Sequence, residues 1–125
     1  MATLGDVMSA DVATLDAEAT LSEAAQAMVR GRFGSILVMH GNHVAGIFTE
    51  RDVLRAAAKA ADVATETVSA WMTADPIVAS PDDHTETAAD LMLSNGFRHL
   101  PVVDQSGLVG IVSLRDVLSA RIGRS

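Results

Sequence analysis

Cysteine and tyrosine are both missing from this sequence of 125 residues, which also has only three phenylalanines and one tryptophan. Without cysteine the protein can form no disulfide bond, no thiolate metal site and no cysteine nucleophile. Because aromatic side chains are so few, a hydrophobic core has to be built from aliphatic residues, alanine and methionine. Hydrophobic residues make up 49% of the chain, which predicts a globular domain rather than a disordered segment.

Basic residues are also in the minority, since nine lysines and arginines stand against sixteen aspartates and glutamates, a formal net charge of −7. Nucleic-acid backbones select basic surfaces, so we expect no nucleic-acid partner. The apolar runs are short and interrupted by charges, so no membrane-spanning segment is expected. The first residues lack the basic start and the long apolar stretch of a secretory signal peptide, which predicts a cytoplasmic protein.

The sequence contains an internal repeat with an offset of 64 residues. Met8-Ser-Ala-Asp11 aligns with Met72-Thr-Ala-Asp75, and the segment 46–54 aligns with 110–118. Fifteen of the 49 aligned pairs are identical, whereas ordinary composition gives about one match in ten. One copy alone buries little surface, so the two copies are expected to share a core as a single domain covering the whole chain.

Each copy has the pattern strand, helix, strand, strand, helix, which predicts an α+β fold. Thr20-x-x-Glu23 is a capping box at the start of the first helix, Gly31 is predicted to end that helix, and Asn95-Gly96 is predicted to end its partner. In both copies, turn residues separate two β-branched runs, which predicts a hairpin. The other expected elements are extended stretches at Val12–Leu15 and Ile77–Ala79, and helices that begin at Thr49 and Ser113.

These motifs resemble those of the CBS-domain family, which occur in tandem pairs often called Bateman modules. The resemblance rests on Met72-Thr-Ala-Asp-Pro76, on Phe97-Arg-His-Leu-Pro-Val-Val-Asp104 and on Gly110-Ile-Val-Ser-Leu-Arg-Asp116. The first copy carries weaker versions, with Leu37 where the family usually has proline and His40 where it usually has aspartate.

The resemblance implies two β-α-β-β-α CBS motifs, at about residues 4–60 and 68–122, that pack as one domain of residues 1–125 with pseudo-two-fold symmetry. It also implies a regulatory or sensor module that is not an enzyme and has no metal or other cofactor. Its ligand would be an adenosine-type nucleotide: AMP, ADP, ATP or S-adenosylmethionine.

The resemblance further implies two ligand clefts, each built from residues of both copies. The aspartate of each Thr/Ser-x-x-Asp motif would accept hydrogen bonds from ribose hydroxyls, and the adjoining helix N-terminus would favour a phosphate group. In one cleft Asp52 and Thr49 would face Ile77, Phe97, Arg98 and His99, and in the other Asp116 and Ser113 would face Ala13, Phe33 and Gly34.

The two clefts are not expected to be equal. Arg98 and His99 supply hydrogen-bond donors to the Asp52 cleft, one of them permanently charged. Their counterparts in the repeat, Gly34 and Ser35, carry no charge. We therefore expect a phosphate-bearing ligand to prefer the Asp52 cleft.

The candidate residues also have purely structural interpretations. Thr49-x-x-Asp52 and Ser113-x-x-Asp116 are typical of helix N-termini, and this capping role can coexist with ligand binding. Phe33 and Phe97 are more typical of core residues than of platforms for base stacking. His40-x-x-His43 falls on a predicted hairpin turn and has no further ligands nearby, which favours a surface loop over a metal site.

The resemblance also implies a homodimer in which modules pair through helix faces. Two rival functions stay open. One is a ligand-free interaction module that works through dimerisation alone, and the other, less favoured, is a nucleotide-acting enzyme such as a hydrolase. An enzyme would need a positioned base and an electrophilic or metal centre, and the sequence displays neither. The single tryptophan, Trp71, is predicted to be a packing residue where the two copies join.

Overall fold

The computed structural model describes residues 2–123, with the backbone alone for 121–123. The chain divides into two compact units whose boundaries differ from those of the repeat. The first unit contains residues 12–76, and the second unit contains the residues up to 11 and those from 77 onward. The predicted α+β fold class is confirmed. The packing of both motifs as one pseudo-two-fold domain stays a prediction.

Helices and strands alternate along the chain in nearly the order that the sequence predicts, with two short helical segments and one short strand in addition. The elements are α1 (Leu4–Val7), β1 (Thr14–Asp16), α2 (Leu21–Gly31), β2 (Ser35–His40), β3 (His43–Thr49), α3 (Glu50–Ala58), a 3₁₀ turn (Val68–Ala70), β4 (Thr73–Ala74), α4 (Thr85–Asn95), β5 (His99–Asp104), β6 (Gly107–Ser113) and α5 (Leu114–Gly123).

The first unit is a four-stranded sheet with the order β1-β2-β3-β4. Strand β2 is parallel to β1 and antiparallel to β3, and β4 is antiparallel to β3. Its core consists of fully buried strand residues, Ile36, Val38 and Phe48 among them, with residues of α2 such as Ala24 and Met28. The apolar residues of α2 recur at helical spacing, so one face of the helix is buried in this core.

The first turn of α2 has the capping box that the sequence predicts. The Glu23 N–H donates to Thr20 Oγ1 at 3.1 Å, and the Thr20 N–H donates to Glu23 Oε1 at 2.9 Å. The helix ends at Gly31, as the sequence predicts, and Arg32 follows it as the left-handed C-cap residue, with φ of 59°. The ring of Phe33 lies against Gly31 where a Cβ would be. Gly31 is therefore needed for a close contact rather than for its conformation.

The second unit has a hairpin, β5–β6, with a single bridge on each side of it instead of a flanking strand. Both predicted hairpins are therefore confirmed. Helix α4 ends as predicted, with Gly96 in the left-handed region at φ of 74°. The core of this unit contains Leu100, Val102 and Val112 of the hairpin together with Met92 of α4.

The extended stretch predicted at Ile77–Ala79 does not form a strand. Only Ala79 bridges to β5, whereas the corresponding stretch of the first unit forms β1. The difference follows from Pro101, which has no N–H. In the first unit its counterpart Leu37 donates that hydrogen bond to the Ala13 carbonyl at 2.9 Å. Without this bond the parallel ladder of the second unit is shortened.

The two units exchange their Met-x-Ala-Asp segments. Residues 72–75 of the second copy belong to the first unit, and residues 8–11 of the first copy belong to the second unit. In the second unit, the Ser9 and Ile111 backbones exchange two hydrogen bonds of 2.9 Å each. In the first unit, β4 (from the second copy of the repeat) pairs with β3. Met8 and Met72 lie directly over Gly110 and Gly46, where a Cβ would collide with them. These two glycines permit the close approach of the segments that contain Met8 and Met72.

Candidate functional site

Three of the candidate residues lie along one edge of the sheet in the first unit. Thr49 ends β3 and caps α3, and it is paired in register with Ser35 at the start of β2. The carbonyl of Gly34 accepts the Glu50 N–H at 3.3 Å. Ala13 immediately precedes β1, and its carbonyl accepts a hydrogen bond from the Leu37 N–H of β2. Gly34 and Thr49 therefore lie next to the N-terminus of α3, whereas Ala13 lies at the same end of the sheet but two strands away from Thr49.

The carboxylate of Asp52 is buried at this edge, and the residue is only 5% exposed. Its Oδ2 accepts two hydrogen bonds from Thr49, one from the backbone N–H at 2.9 Å and one from the hydroxyl at 3.2 Å. Its Oδ1 accepts a bond of 2.7 Å from Arg55 Nη1. The capping role of Asp52 is thus confirmed, while its predicted role in ligand binding stays a prediction.

Arg55 connects Asp52 to the only tryptophan in the chain. Its guanidinium carbon lies 5.6 Å from the centre of the Trp71 ring, within the range of a cation–π contact. The indole Nε1–H donates to Glu66 Oε1 at 3.0 Å, and Glu66 Oε2 accepts the Asp62 N–H at 3.0 Å. An ordered network of side chains therefore leads from Asp52 to the segment that follows α3.

The corresponding edge of the second unit has the same backbone arrangement with a different environment for its acid. His99 is paired in register with Ser113, and the Leu114 N–H donates to the Arg98 carbonyl at 2.8 Å. The Asp116 N–H donates to Ser113 Oγ at 3.0 Å. Asp116 is exposed, and no residue that the structure describes donates a hydrogen bond to its carboxylate or forms an ion pair with it.

The remaining candidates differ in their exposure. Arg98 is exposed, and Ile77 is 43% exposed on the segment before α4. Phe97 is half-buried and packs against the core of the second unit. Phe33 is half-buried with its ring over Gly31. The candidates thus divide between the two units, and the crosswise clefts that would bring them together stay a prediction.

None of the sequence motifs predicts that Arg55, Glu66 or Trp71 contributes to the site. A signal for them existed in the repeat, because their counterparts are Ser119, Ala2 and Val7. Three polar or aromatic residues that connect to the candidate aspartate are thus present in one copy and absent from the other. The prediction that Trp71 packs where the two copies join is confirmed, because this residue near the start of the second copy packs against a core whose residues belong mostly to the first copy.

Two histidines and two large apolar residues are prominent on the surface of the described chain. His40 and His43 face each other across the β2–β3 hairpin and are both exposed. Among residues 2–123, no three histidine, aspartate or glutamate side chains cluster closely enough to hold a metal ion. None of the helices within this range has the length and apolar character needed to cross a membrane. Val29 and Leu54 are 81% and 71% exposed, and the predicted homodimer stays a prediction.

Comparison with protein families gives a match over nearly all of the chain. The family model for the CBS domain matches twice, over residues 4–59 and 68–123. The chain belongs to the CBS-domain family. The two matched segments correspond to the two copies of the repeat, so the predicted tandem pair of CBS motifs is confirmed.

Individual relatives and solved structures agree with this assignment. The CBS domain-containing protein YhcV of Bacillus subtilis is 37% identical over 94% of this chain and 84% of its own length. An uncharacterised 17.7 kDa protein of Acidianus ambivalens is 43% identical over 81% of this chain, and the match spans 62% of that protein. The crystal structure of ATU1752 from Agrobacterium tumefaciens, with 31% identity, covers 95% of this chain and 98% of its own at a TM-score of 0.87.

Proposed function

We propose that this CBS-domain pair is a regulatory module that binds an adenosine-type nucleotide and does not catalyse a reaction. The observation that carries the proposal is the placement of a hydroxyl residue and an aspartate at the start of a helix in both units. Asp52 and Asp116 each lie three residues beyond a Thr or Ser that ends a strand. A carboxylate accepts hydrogen bonds from ribose hydroxyls, and a helix N-terminus attracts phosphate.

Charge and exposure in the second unit support the same function. The Asp116 carboxylate is exposed and has no hydrogen-bond partner among the described residues. Arg98 is exposed on the same edge, since its carbonyl bonds to the first residue of α5. The two kinds of group that recognise a nucleotide, a carboxylate for the sugar and a cation for the phosphate, are thus accessible to a ligand, with Asp116 assigned to one proposed cleft and Arg98 to the Asp52 cleft.

A neighbour in structure is consistent with this ligand class. The structure of the CBS-domain pair of protein MJ0100 aligns with this one over 99% of its own chain, with a TM-score of 0.89 and 24% sequence identity. That protein was crystallised with 5-methylthioadenosine and S-adenosyl-L-methionine. The likeness is one of fold, and the ligands are those of MJ0100. They suggest adenosine derivatives as the first compounds to test.

The proposal is tested by calorimetry with AMP and adenosine. We expect AMP to bind, and Arg98→Ala to weaken AMP affinity by about 1.5–3 kcal/mol, the range for hydrogen bonds to charged groups. Adenosine affinity should hardly change, because adenosine has no phosphate for Arg98 to contact. Arg30→Ala, which removes an exposed cation of the first unit, is the matched control.

The rival function is a ligand-free module that acts through dimerisation. It predicts no thermal shift with any adenosine compound, whereas a ligand at 100 times its dissociation constant stabilises a protein by about 2.7 kcal/mol. A panel of AMP, ADP, ATP and S-adenosylmethionine without any shift would therefore favour the rival. Normal AMP binding by the Arg98→Ala protein would instead show that the phosphate subsite lies elsewhere.

A further inference from the structure

The Asp52 carboxylate, which the proposed function assigns to a ribose, already has an internal cation bound to it. A carboxylate offers about four lone-pair positions for hydrogen bonds. Thr49 fills both positions on Oδ2, and Arg55 fills one on Oδ1 at 2.7 Å. One position is left, while the two hydroxyls of a ribose need two.

We propose that Arg55 is a gate that determines the affinity of the Asp52 carboxylate for ligand hydroxyls. This inference rests on the proposed function and extends it. A ribose can form both of its hydrogen bonds only after Arg55 leaves Oδ1. Ligand binding in the first unit therefore loses the free energy of the Asp52–Arg55 ion pair, a loss that does not occur at Asp116.

Arg55 has the freedom of movement that such a gate needs. The Asp52 side chain is 8% exposed, but that of Arg55 is 53% exposed, so the guanidinium can turn into solvent without breaking the core. Its other contacts are weak. They are a 3.4 Å hydrogen bond to the Trp71 carbonyl and the contact over the Trp71 ring. Departure of Arg55 from Asp52 would change the charge next to this indole, which is the only one in the chain.

The first experiment compares adenosine binding by the parent and by Arg55→Met in calorimetry. Methionine keeps an aliphatic side chain over Trp71 and removes the cation. The Arg55 side chain is 53% exposed, so solvent screens its attraction to Asp52. We therefore expect Arg55→Met to bind adenosine up to about fivefold more tightly, which corresponds to about 1 kcal/mol. Lys59→Met, which removes a cation from the end of the same helix, should leave the affinity unchanged.

The second measurement uses Trp71 emission. Adenosine should change the emission of the parent, because Arg55 moves relative to the ring, and should change that of Arg55→Met much less. A merely structural role of Arg55 would not produce this difference. Adenosine binding by the parent without any change in emission would contradict the gate.

The reciprocal variant is Ser119→Arg, which gives Asp116 the residue that Asp52 has three positions later. Ser119 is exposed on α5, so this variant should fold even if Arg55→Met does not. We expect it to weaken adenosine binding at the Asp116 carboxylate up to about fivefold. If parent and variants bind adenosine equally, the gate is wrong and the proposed function stands. If neither the parent nor Arg55→Met binds adenosine or AMP, the proposed function fails and the gate with it.

Discussion

Asp52 and Asp116 occupy equivalent positions in the two units, but their carboxylates have opposite surroundings. Asp52 is buried and accepts three hydrogen bonds, from Thr49 and Arg55. Asp116 is exposed, and its carboxylate has no partner among the described residues. The backbone around the two is the same, with a strand that ends at a hydroxyl residue and a helix that starts after it. The repeat thus preserves the position of the acid and not its electrostatic environment.

The cause of this difference lies one helical turn further along the chain. Arg55 reaches back to Asp52, whereas its counterpart Ser119 has a short, uncharged side chain and cannot form an ion pair with Asp116. Trp71 provides a surface for the arginine, and its counterpart is Val7. A duplicated motif can therefore place two equivalent aspartates in different electrostatic environments through a few substitutions that leave the fold unchanged.

The largest expected difference in stability between the two units concerns the glycine that lies under a methionine in each of them. A Cβ on Gly110 would lie 2.8 Å from the Ser9 carbonyl oxygen, and backbone cannot move aside cheaply. On Gly46 its three nearest neighbours would all be atoms of the flexible Met72 side chain. We expect Gly110→Ala to destabilise the protein by about 1–3 kcal/mol and Gly46→Ala to cost less, in chemical denaturation. Equal losses of stability in the two variants would mean that the methionine segment packs equally closely against its glycine in both units.

A smaller effect is expected from removal of the two aspartates. Asp52→Ala removes the acceptor for the Thr49 N–H and for Arg55, so the free energy of unfolding should fall by about 1–2 kcal/mol. Asp116→Ala removes an exposed carboxylate and should change stability by less than about 0.5 kcal/mol. Urea denaturation of the ligand-free proteins checks this order. A larger loss for Asp116→Ala would contradict the assignment of the internal partners.

The smallest expected difference concerns the two hairpin turns. Ser106 donates from its hydroxyl and its N–H to Asp104 Oδ1, at 2.6 and 2.8 Å. The side-chain bond from Ser106, more than its backbone bond, lowers the pKa of Asp104. The counterpart of Asp104 is His40, so this effect is confined to the second unit.

Because the pKa of Asp104 is lower in the folded protein, its contribution to stability is complete above the unfolded pKa. That contribution is lost as pH falls through the folded pKa. Ser106→Ala should raise the pKa of Asp104 toward its ordinary value, and carbon-detected NMR titration of the carboxyl group measures this. The stability difference between parent and variant should vanish at low pH. An unchanged Asp104 pKa would show that backbone N–H groups alone set it.

Local sequence signals predicted most of the secondary structure. The capping box at Thr20, the left-handed Gly96 and both hairpins depend on residues within a few positions of one another, and all are confirmed. The strand predicted at Ile77–Ala79 failed because a distant residue decides, since Pro101 removes a hydrogen bond that this strand needs. Within the candidate site, the capping contact of Asp52 could be predicted from spacing, but the cation–π contact of Arg55 could not.

By itself, the sequence determined the repeat, the family and the pattern of strands and helices, because these follow from the order and periodicity of side chains along the chain. Only the tertiary structure decided that the Met8 and Met72 segments pack against the glycine-containing strands of the other copy. It also decided that Trp71 supports the arginine bound to Asp52. Such contacts join residues far apart in the chain, and their energies depend on geometry that composition and spacing do not encode.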